Sequence, residues 1–162
     1  MKAYLSNTLD VDNDKAYVIT SIAIMLDDIG YYCSESPANS EEKVDRGTVS
    51  SIRTSNLFLG LMTNDGNKPN NVYNEWKVAI KYRVPSILLV EDSLDFSRYE
   101  FDENYRSNVI RFSRKNPEVA ISQIKQRIQQ SRIEPNPKRM ENIVAWLTGG
   151  NASMQTIRLL AS

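Results

Sequence analysis

Two apolar runs constrain the fold of this 162-residue chain more than any other feature. Residues 57–62 read LFLGLM and residues 86–90 read SILLV, and neither run alternates with polar residues. A strand with apolar side chains on both faces is typical of a parallel sheet covered by helices on both sides. The segment between the runs carries a short amphipathic pattern. The runs therefore predict two parallel strands joined by a crossover helix.

Further apolar runs and helical stripes alternate along the chain. We expect strands at residues 3–5, 31–34, 57–63, 86–90 and 109–112. A stripe over residues 18–29 predicts a first helix that stops at Gly30. A weaker pattern over residues 44–52, interrupted by Gly47, predicts a second helix.

Two more helices are predicted after the third and fifth strands. We expect Asn71 to cap one of them and Pro85 to end it. Its buried face would consist of Val72, Trp76, Ala79 and Ile80. The sequence Asn116-Pro117-Glu118 provides a cap, a first-turn proline and a favourable charge for the other helix. Its stripe would consist of Ile121, Ile124 and Ile128.

This alternation predicts an α/β fold, namely a flavodoxin-like three-layer fold with a five-stranded parallel sheet of order 2-1-3-4-5. Ligands bind such a sheet at the carboxyl ends of the strands, at the switch point between strands 1 and 3. The loops at residues 6–14 and 64–70 would meet there, and Glu75 would lie about one turn into the next helix. We interpret residues 1–131 as one domain, and residues 132–162 as a C-terminal helical appendage or the start of a further region.

The composition excludes several classes of function. The 20 basic and 20 acidic residues balance, so no net charge favours nucleic acid or an anionic membrane. The absence of histidine excludes Ser-His-Asp catalysis and argues against zinc, although a site made of carboxylates alone stays open. The single Cys33, the lack of a long apolar run and the polar N-terminus predict a cytoplasmic protein without a membrane span or signal peptide.

Glu75 is the candidate for chemistry because of its expected place beside the switch point. A carboxylate there suits a nucleophile, or an ion that stabilises an oxocarbenium-like transition state. The common alternative for a single glutamate in a helix is a solvent-exposed carboxylate that interacts with the helix dipole. The acidic run over residues 91–103 is likewise expected to be a solvated loop.

The other candidate binding residues each have an ordinary structural alternative. Tyr73 and Trp76 could stack on a base, but Trp76 shares the apolar stripe, and we favour a core role for it. Asp65 could bind ribose hydroxyls or form an Asx turn. Ser6 and Asn7, directly after strand 1, could contact a ligand or form a turn.

Three segments resemble the superfamily that joins TIR (Toll/interleukin-1 receptor) domains with nucleoside 2-deoxyribosyltransferases. They read AYLSNTLD at residues 3–10, IRTSNLFLGLMT at residues 52–63 and VYNEWKVAIKYRVPSILLVED at residues 72–92. The last segment matches a pattern shared by both branches. In that pattern a glutamate is followed four residues later by an alanine, and a proline then precedes the next strand. In this chain those positions are Glu75, Ala79 and Pro85.

The resemblance implies that Glu75 is the catalytic carboxylate, since both branches use a glutamate at this place. The bacterial TIR branch, which we favour, implies cleavage of NAD at the nicotinamide–ribose bond, a role in antiphage defence and assembly into a homo-oligomer. NAD would be a substrate, and no cofactor or metal is implied. The transferase branch implies a covalent deoxyribosyl-enzyme intermediate, with Tyr4 and Asp65 close to the substrate.

Three functions therefore stay open at this point. The first is an NAD-cleaving N-glycosidase that gives ADP-ribose or a cyclic isomer. The second is a transferase or hydrolase that acts on nucleosides or nucleotides. The third is a non-catalytic module that binds a nucleotide or assembles with itself.

Overall fold

The fold is described from a computed structural model, which covers residues 1–7, 13–35, 43–64, 69–101 and 108–132. Five parallel strands form one sheet in the order β2-β1-β3-β4-β5. The strands are β1 (Lys2–Ser6), β2 (Tyr32–Glu35), β3 (Leu57–Met62), β4 (Ser86–Glu91) and β5 (Val109–Phe112). The α-helices are α1 (Asn13–Asp28), α2 (Arg46–Arg53), α3 (Pro69–Lys81) and α4 (Glu118–Arg132). The predicted flavodoxin-like sheet and its strand order are confirmed, whereas the predicted appendage lies outside the described residues apart from Arg132 at the end of α4.

The helices cover the sheet on both faces, which gives three layers. Helices α1 and α4 pack on one face through residues such as Ile22 and Ile124, which share a buried cluster with Leu59 of β3. On the other face, α2 and α3 pack through residues such as Ile52 and Trp76. The unbroken apolar run of β3 arises because both of its faces are buried.

Two helices end in the same backbone motif. Gly30 has φ of 83°, and the amide of Tyr31 donates to the carbonyl of Leu26. This is the Schellman arrangement, and the predicted stop at Gly30 is confirmed. Helix α3 ends in the same way at Arg83, which has φ of 56°, with a bond from the Val84 amide to the Ala79 carbonyl.

Three predicted helix boundaries are wrong. Pro85 does not end α3, because the turn at Arg83 has already ended it. Asn71 lies inside α3, which begins at Pro69, a residue suited to the first helical position because its missing N–H needs no partner there. Gly47 does not interrupt α2, since Asp45 caps that helix and accepts a hydrogen bond of 2.8 Å from the Gly47 amide.

Helix α4 and the connection before β5 also differ in detail from the expectation. The helix begins at Glu118, so Pro117 immediately precedes it rather than lying in its first turn. The connection contains a short 3-10 helix (Phe96–Arg98), which matches the helical turn considered for this segment. None of the described helices is long and apolar enough to cross a membrane.

Helix α3 approaches β3 closely at Gly60. A Cβ atom at this position would lie 2.7 Å from Cδ1 of Leu88 and 3.0 Å from Cγ1 of Val72. Only a residue without a side chain lets Val72 of α3 rest on the strand at this distance. Because Gly60 pairs with Ser6 of β1, the contact lies near the carboxyl ends of both strands.

We expect Gly60→Ala to destabilise the protein by about 1–3 kcal/mol, because the added methyl group must displace either α3 or Leu88. Chemical denaturation monitored by circular dichroism measures this change. The control is Ser50→Ala, at an exposed position on α2, which should change stability by less than about 0.5 kcal/mol. Equal stabilities of the two variants would show that α3 does not depend on the close contact.

Candidate active site

The carboxyl end of β1 supplies polar side chains to the switch point. Ser6 is the last residue of the strand and is buried, and Asn7 follows it. The Asn7 side-chain oxygen is shielded from solvent and accepts no hydrogen bond from the residues that the structure describes. A shielded amide oxygen without a protein donor is suited to a donor on a ligand.

Tyr4 lies two residues before Ser6 and therefore on the same face of the sheet. It is buried and stacks on Phe58 of β3, with ring centroids 5.9 Å apart. Both rings belong to the cluster that packs under α2 and α3. The polar end of Tyr4 and the Ser6 hydroxyl thus belong to the face that carries α3.

Glu75 is the seventh residue of α3, and its side chain is buried, with only 8% of the residue exposed. The common interpretation of a solvated carboxylate is therefore wrong for this residue. The expected distance from the helix start is also wrong. With Pro69 as the first helical residue, Glu75 lies near the end of the second turn. There the helix dipole stabilises a negative charge more weakly than in the first turn. The neighbouring groups therefore have the larger effect on the energy of the carboxylate charge.

The side of α3 that carries Glu75 faces α2. Tyr82 follows Glu75 by seven residues, about two turns, and so lies on the same side of the helix. The Tyr82 ring lies 6.0 Å from the guanidinium of Arg53 in α2. Helix α2 in turn contacts β1, where Lys2 Nζ donates to the Ser51 carbonyl at 3.3 Å. Glu75 therefore lies on the α2 side of α3.

The opposite side of α3 carries an aromatic wall, defined as Tyr73, Trp76, Phe96, Tyr99 and Phe101. Phe101 stacks on Phe96 at 4.2 Å between centroids and contacts the Trp76 ring at 4.9 Å. Tyr73 lies 5.0 Å from Tyr99. The wall adjoins β5, because the Arg111 guanidinium lies 5.7 Å from the Phe96 ring. The wall thus packs the β4–β5 connection against α3.

Two tyrosine hydroxyls fix the wall to the backbone and to α3. The Tyr73 hydroxyl donates to the Glu100 carbonyl at 2.6 Å, and the Tyr99 hydroxyl bonds to the Asn70 side-chain oxygen at 3.0 Å. Burial raises the pKa of Tyr73, and the nearby charge of Glu100 raises it further against the opposing effect of the hydrogen bond. Burial likewise raises the pKa of Tyr99. Both phenols are therefore protonated donors at neutral pH.

The candidate residues from the sequence fall into two groups. Tyr4, Ser6 and Asn7 lie on β1 and directly after it. Tyr73 and Trp76 lie in the aromatic wall, and the burial of Trp76 matches the core role that we favoured. Asp65 lies outside the described residues. The contacts of these residues with a substrate stay predictions.

Two buried charges were missed in the sequence. Lys15 is 3% exposed and lies in the first turn of α1. It precedes the buried Val18 by three residues and Ile22 by seven, so it belongs to the stripe of α1 that faces the sheet. This spacing was visible in the sequence, but a stripe traced through apolar residues alone omits a lysine.

Glu91 is the second missed charge and corrects the expectation of a solvated acidic loop over residues 91–103. It is the last residue of β4, is buried, and pairs with Arg114 at 2.7 Å. No local pattern could have indicated a pair separated by 23 residues. Within the described ranges, no group of three or more His, Cys, Asp or Glu residues could hold a metal ion.

Comparisons with known proteins show a fold that this chain shares with a solved structure. No protein-family model matches the chain, and no curated protein is significantly similar to it. Among solved structures, it is similar to the CMP N-glycosidase BcmB of Clostridium botulinum, with a TM-score of 0.55 and 12% identity over 78% of this chain and 99% of that one. It also resembles the TIR domains of the activated Roq1 resistosome that directly recognises the pathogen effector XopQ. That match has a TM-score of 0.43 and 10% identity, and covers 99% of this chain and 96% of the other.

The likeness to BcmB shows a shared fold. It agrees with the α/β architecture predicted from the sequence. The Roq1 match is too weak to carry an argument, and neither branch is favoured by the fold.

We expect Phe101→Ala to destabilise the protein by about 1–3 kcal/mol, because the truncation removes ring contacts with Phe96 and Trp76. The shift of a urea unfolding curve measures it. Tyr32→Ala, at a tyrosine that is 61% exposed on β2, is the matched truncation and should cost less than about 0.5 kcal/mol. If the two variants lost the same stability, the aromatic wall would not contribute to the packing of α3.

Proposed function

We propose that this protein is a nucleotide N-glycosidase in which the Glu75 carboxylate acts on the sugar. The burial of Glu75, in the helix that follows β3 at the switch point, carries the proposal. Burying a carboxylate costs folding free energy, so a buried acid in a crevice is a candidate for a functional group. The fold shared with a CMP N-glycosidase supports the same conclusion.

The reaction breaks the bond between ribose C1′ and the base nitrogen. The bonding electron pair leaves with the base, and positive charge develops on C1′ and the ring oxygen. The Glu75 carboxylate stabilises this charge or bonds to C1′ as an ester. Water then bonds to C1′ through its oxygen, the C1′–carboxylate bond breaks where the ester has formed, and the proton of the water passes to solvent, which leaves a hydroxyl group on C1′. Transfer to a second base in place of water would make the protein a transferase.

We propose NAD as the substrate because its leaving group needs the least assistance. Nicotinamide carries a positive charge while bonded to ribose and leaves as a neutral molecule, so no acid has to protonate it. Cytosine is neutral while bonded in CMP and would leave as an anion, so it requires a proton from a general acid. Histidine, the most frequent such acid, does not occur in this chain.

A nucleoside monophosphate is the second candidate, which the likeness to the CMP N-glycosidase favours. A non-catalytic nucleotide-binding module is the third. Antiphage defence and assembly into a homo-oligomer rest on the TIR resemblance alone and are part of the NAD hypothesis.

Lys15 supports a substrate that carries phosphate. Helix α1 follows β1, so its first turn lies at the carboxyl edge of the sheet. Lysine side chains on a helix lean toward its N-terminus, which directs Lys15 toward that edge. The positive charge of this buried lysine complements the charge of a phosphate.

We expect Glu75→Gln to lower base release by at least about 10³-fold while leaving the melting temperature unchanged or raised, because the amide removes a buried charge together with the catalytic carboxylate. The measurement is release of nicotinamide from NAD, of cytosine from CMP and of free base from a panel of deoxynucleosides, at several protein concentrations. The matched control is Glu118→Gln, at an exposed position in the first turn of α4, which should retain full activity.

The pattern of released bases distinguishes the candidate functions. Nicotinamide release that Glu75→Gln abolishes supports the NAD hypothesis, whereas cytosine release alone selects the second candidate. Full activity of Glu75→Gln would remove Glu75 from the mechanism. Absence of any release by the concentrated wild type would leave the non-catalytic module.

We expect Lys15→Gln to raise KM for the phosphorylated substrate by about 10–100-fold, as the loss of a charge-assisted hydrogen bond requires. KM for the corresponding nucleoside without phosphate should not change. Lys125→Gln, at a partly exposed residue of α4, is the control. Equal increases for both substrates would show that Lys15 does not recognise phosphate.

A further inference from the structure

The carboxyl ends of β3, β4 and β5 are joined by three residues, Asn64, Glu91 and Arg114, which we call the edge clamp. Arg114 Nε lies 2.7 Å from Glu91 Oε1, and Arg114 Nη2 donates to Glu91 Oε2 at 2.8 Å. The same Oε2 accepts a hydrogen bond of 2.8 Å from the Asn64 amide. A single carboxylate therefore binds a side chain that follows β5 and the backbone that follows β3.

The edge clamp differs from a surface ion pair. Its two charged side chains are only 10% and 21% exposed, and a charge-assisted hydrogen bond from Arg114 Nη2 links them. The nearby pair of Arg111 and Asp92 is 3.6 Å long and its side chains are 42% and 60% exposed. Because the cost of desolvation offsets much of the attraction in a shielded pair, net stability is a weak reason for such a clamp.

Asn64 is bound to the exit of β4 by a second contact. Its side-chain amide donates to the Ser93 carbonyl at 3.2 Å. Strand β3 lies between β1 and β4, so the chain that leaves β3 could turn toward either neighbour. The contacts of Asn64 with Glu91 and Ser93 hold it on the β4 side.

We infer that the edge clamp keeps the switch point open by holding the chain away from β1 as it leaves β3. Glu91 and Arg114 are positioning residues that act through the Asn64 amide. The inference rests on the glycosidase function proposed above, since the crevice between β1 and β3 is the site assigned there to the nucleotide. Without the clamp, Asn64 is released to move toward β1 and obstruct the crevice, and only the open fraction binds substrate.

Two variants separate positioning from electrostatic stabilisation. The double substitution Glu91→Arg with Arg114→Glu restores an ion pair, but an arginine at position 91 offers no acceptor to the Asn64 amide. Glu91→Gln removes the charge and keeps an oxygen that accepts this hydrogen bond. We expect the double variant to raise KM by about tenfold or more with kcat within about threefold, and Glu91→Gln to change KM by less than about threefold.

Amide exchange followed by NMR provides a readout that does not depend on activity. The Asn64 amide should exchange at least about tenfold faster in the double variant than in the wild type, and at the wild-type rate in Glu91→Gln. Asp92→Asn, which alters the exposed pair next to the clamp, is the control for both measurements and should change neither.

The results distinguish failure of the clamp from failure of the proposed function. A wild-type KM and slow Asn64 exchange in the double variant would overturn the inference, because the restored ion pair would then be sufficient. If the wild type released no base from any substrate, the glycosidase function would fail, and the assignment of a nucleotide to the crevice with it. The exchange rates would still decide whether Glu91 holds the exit of β3.

Discussion

The site depends on the position of β1 between β2 and β3 in a sheet of parallel strands. Parallel neighbours are joined by right-handed crossovers. A chain that moves from β1 outward to β2, and then back past β1 to β3, must therefore place its first two connecting helices on opposite faces. In this protein α1 covers one face and α2 the other. The segments that leave β1 and β3 diverge toward these faces, and a crevice forms between them.

Helix α3 carries a buried acid, and its two sides have different neighbours. The aromatic wall fixes one side against the connection to β5, which determines the rotation of the helix about its axis. Gly60 determines its distance from the sheet through the contact with Val72. With both degrees of freedom set, Glu75 lies on the remaining side, which faces α2. The position of the acid is thus a consequence of packing on the side of the helix that carries no proposed chemistry.

Local patterns in the sequence determined much of the fold, because buried strands and helix stripes leave local signals. The run at residues 109–112 predicted β5 with its observed bounds, and the run at residues 57–63 predicted β3 to within one residue. The start of α3 was missed because Asn71 resembles a cap, while Pro69 at a first helical position satisfies the backbone equally well. The sequence identified Glu75 as a candidate through its spacing and the family resemblance. It did not indicate that the side chain is buried. A stripe traced through apolar residues counts Val72 and Trp76 and omits the acid between them.

Three charged residues are buried in the part of the chain that the structure describes. They are Lys15, Glu75 and Glu91, and they lie in the first turn of α1, the middle of α3 and the last position of β4. Lys15 and Glu91 thus lie at the carboxyl edge of the sheet, and Glu75 lies in the helix that begins there. Apolar residues at these positions would fold at least as well, since burying a charge costs more than the pairing usually returns. Stability alone is therefore a weak reason for these charges, and the binding and chemistry proposed for this edge are a stronger one.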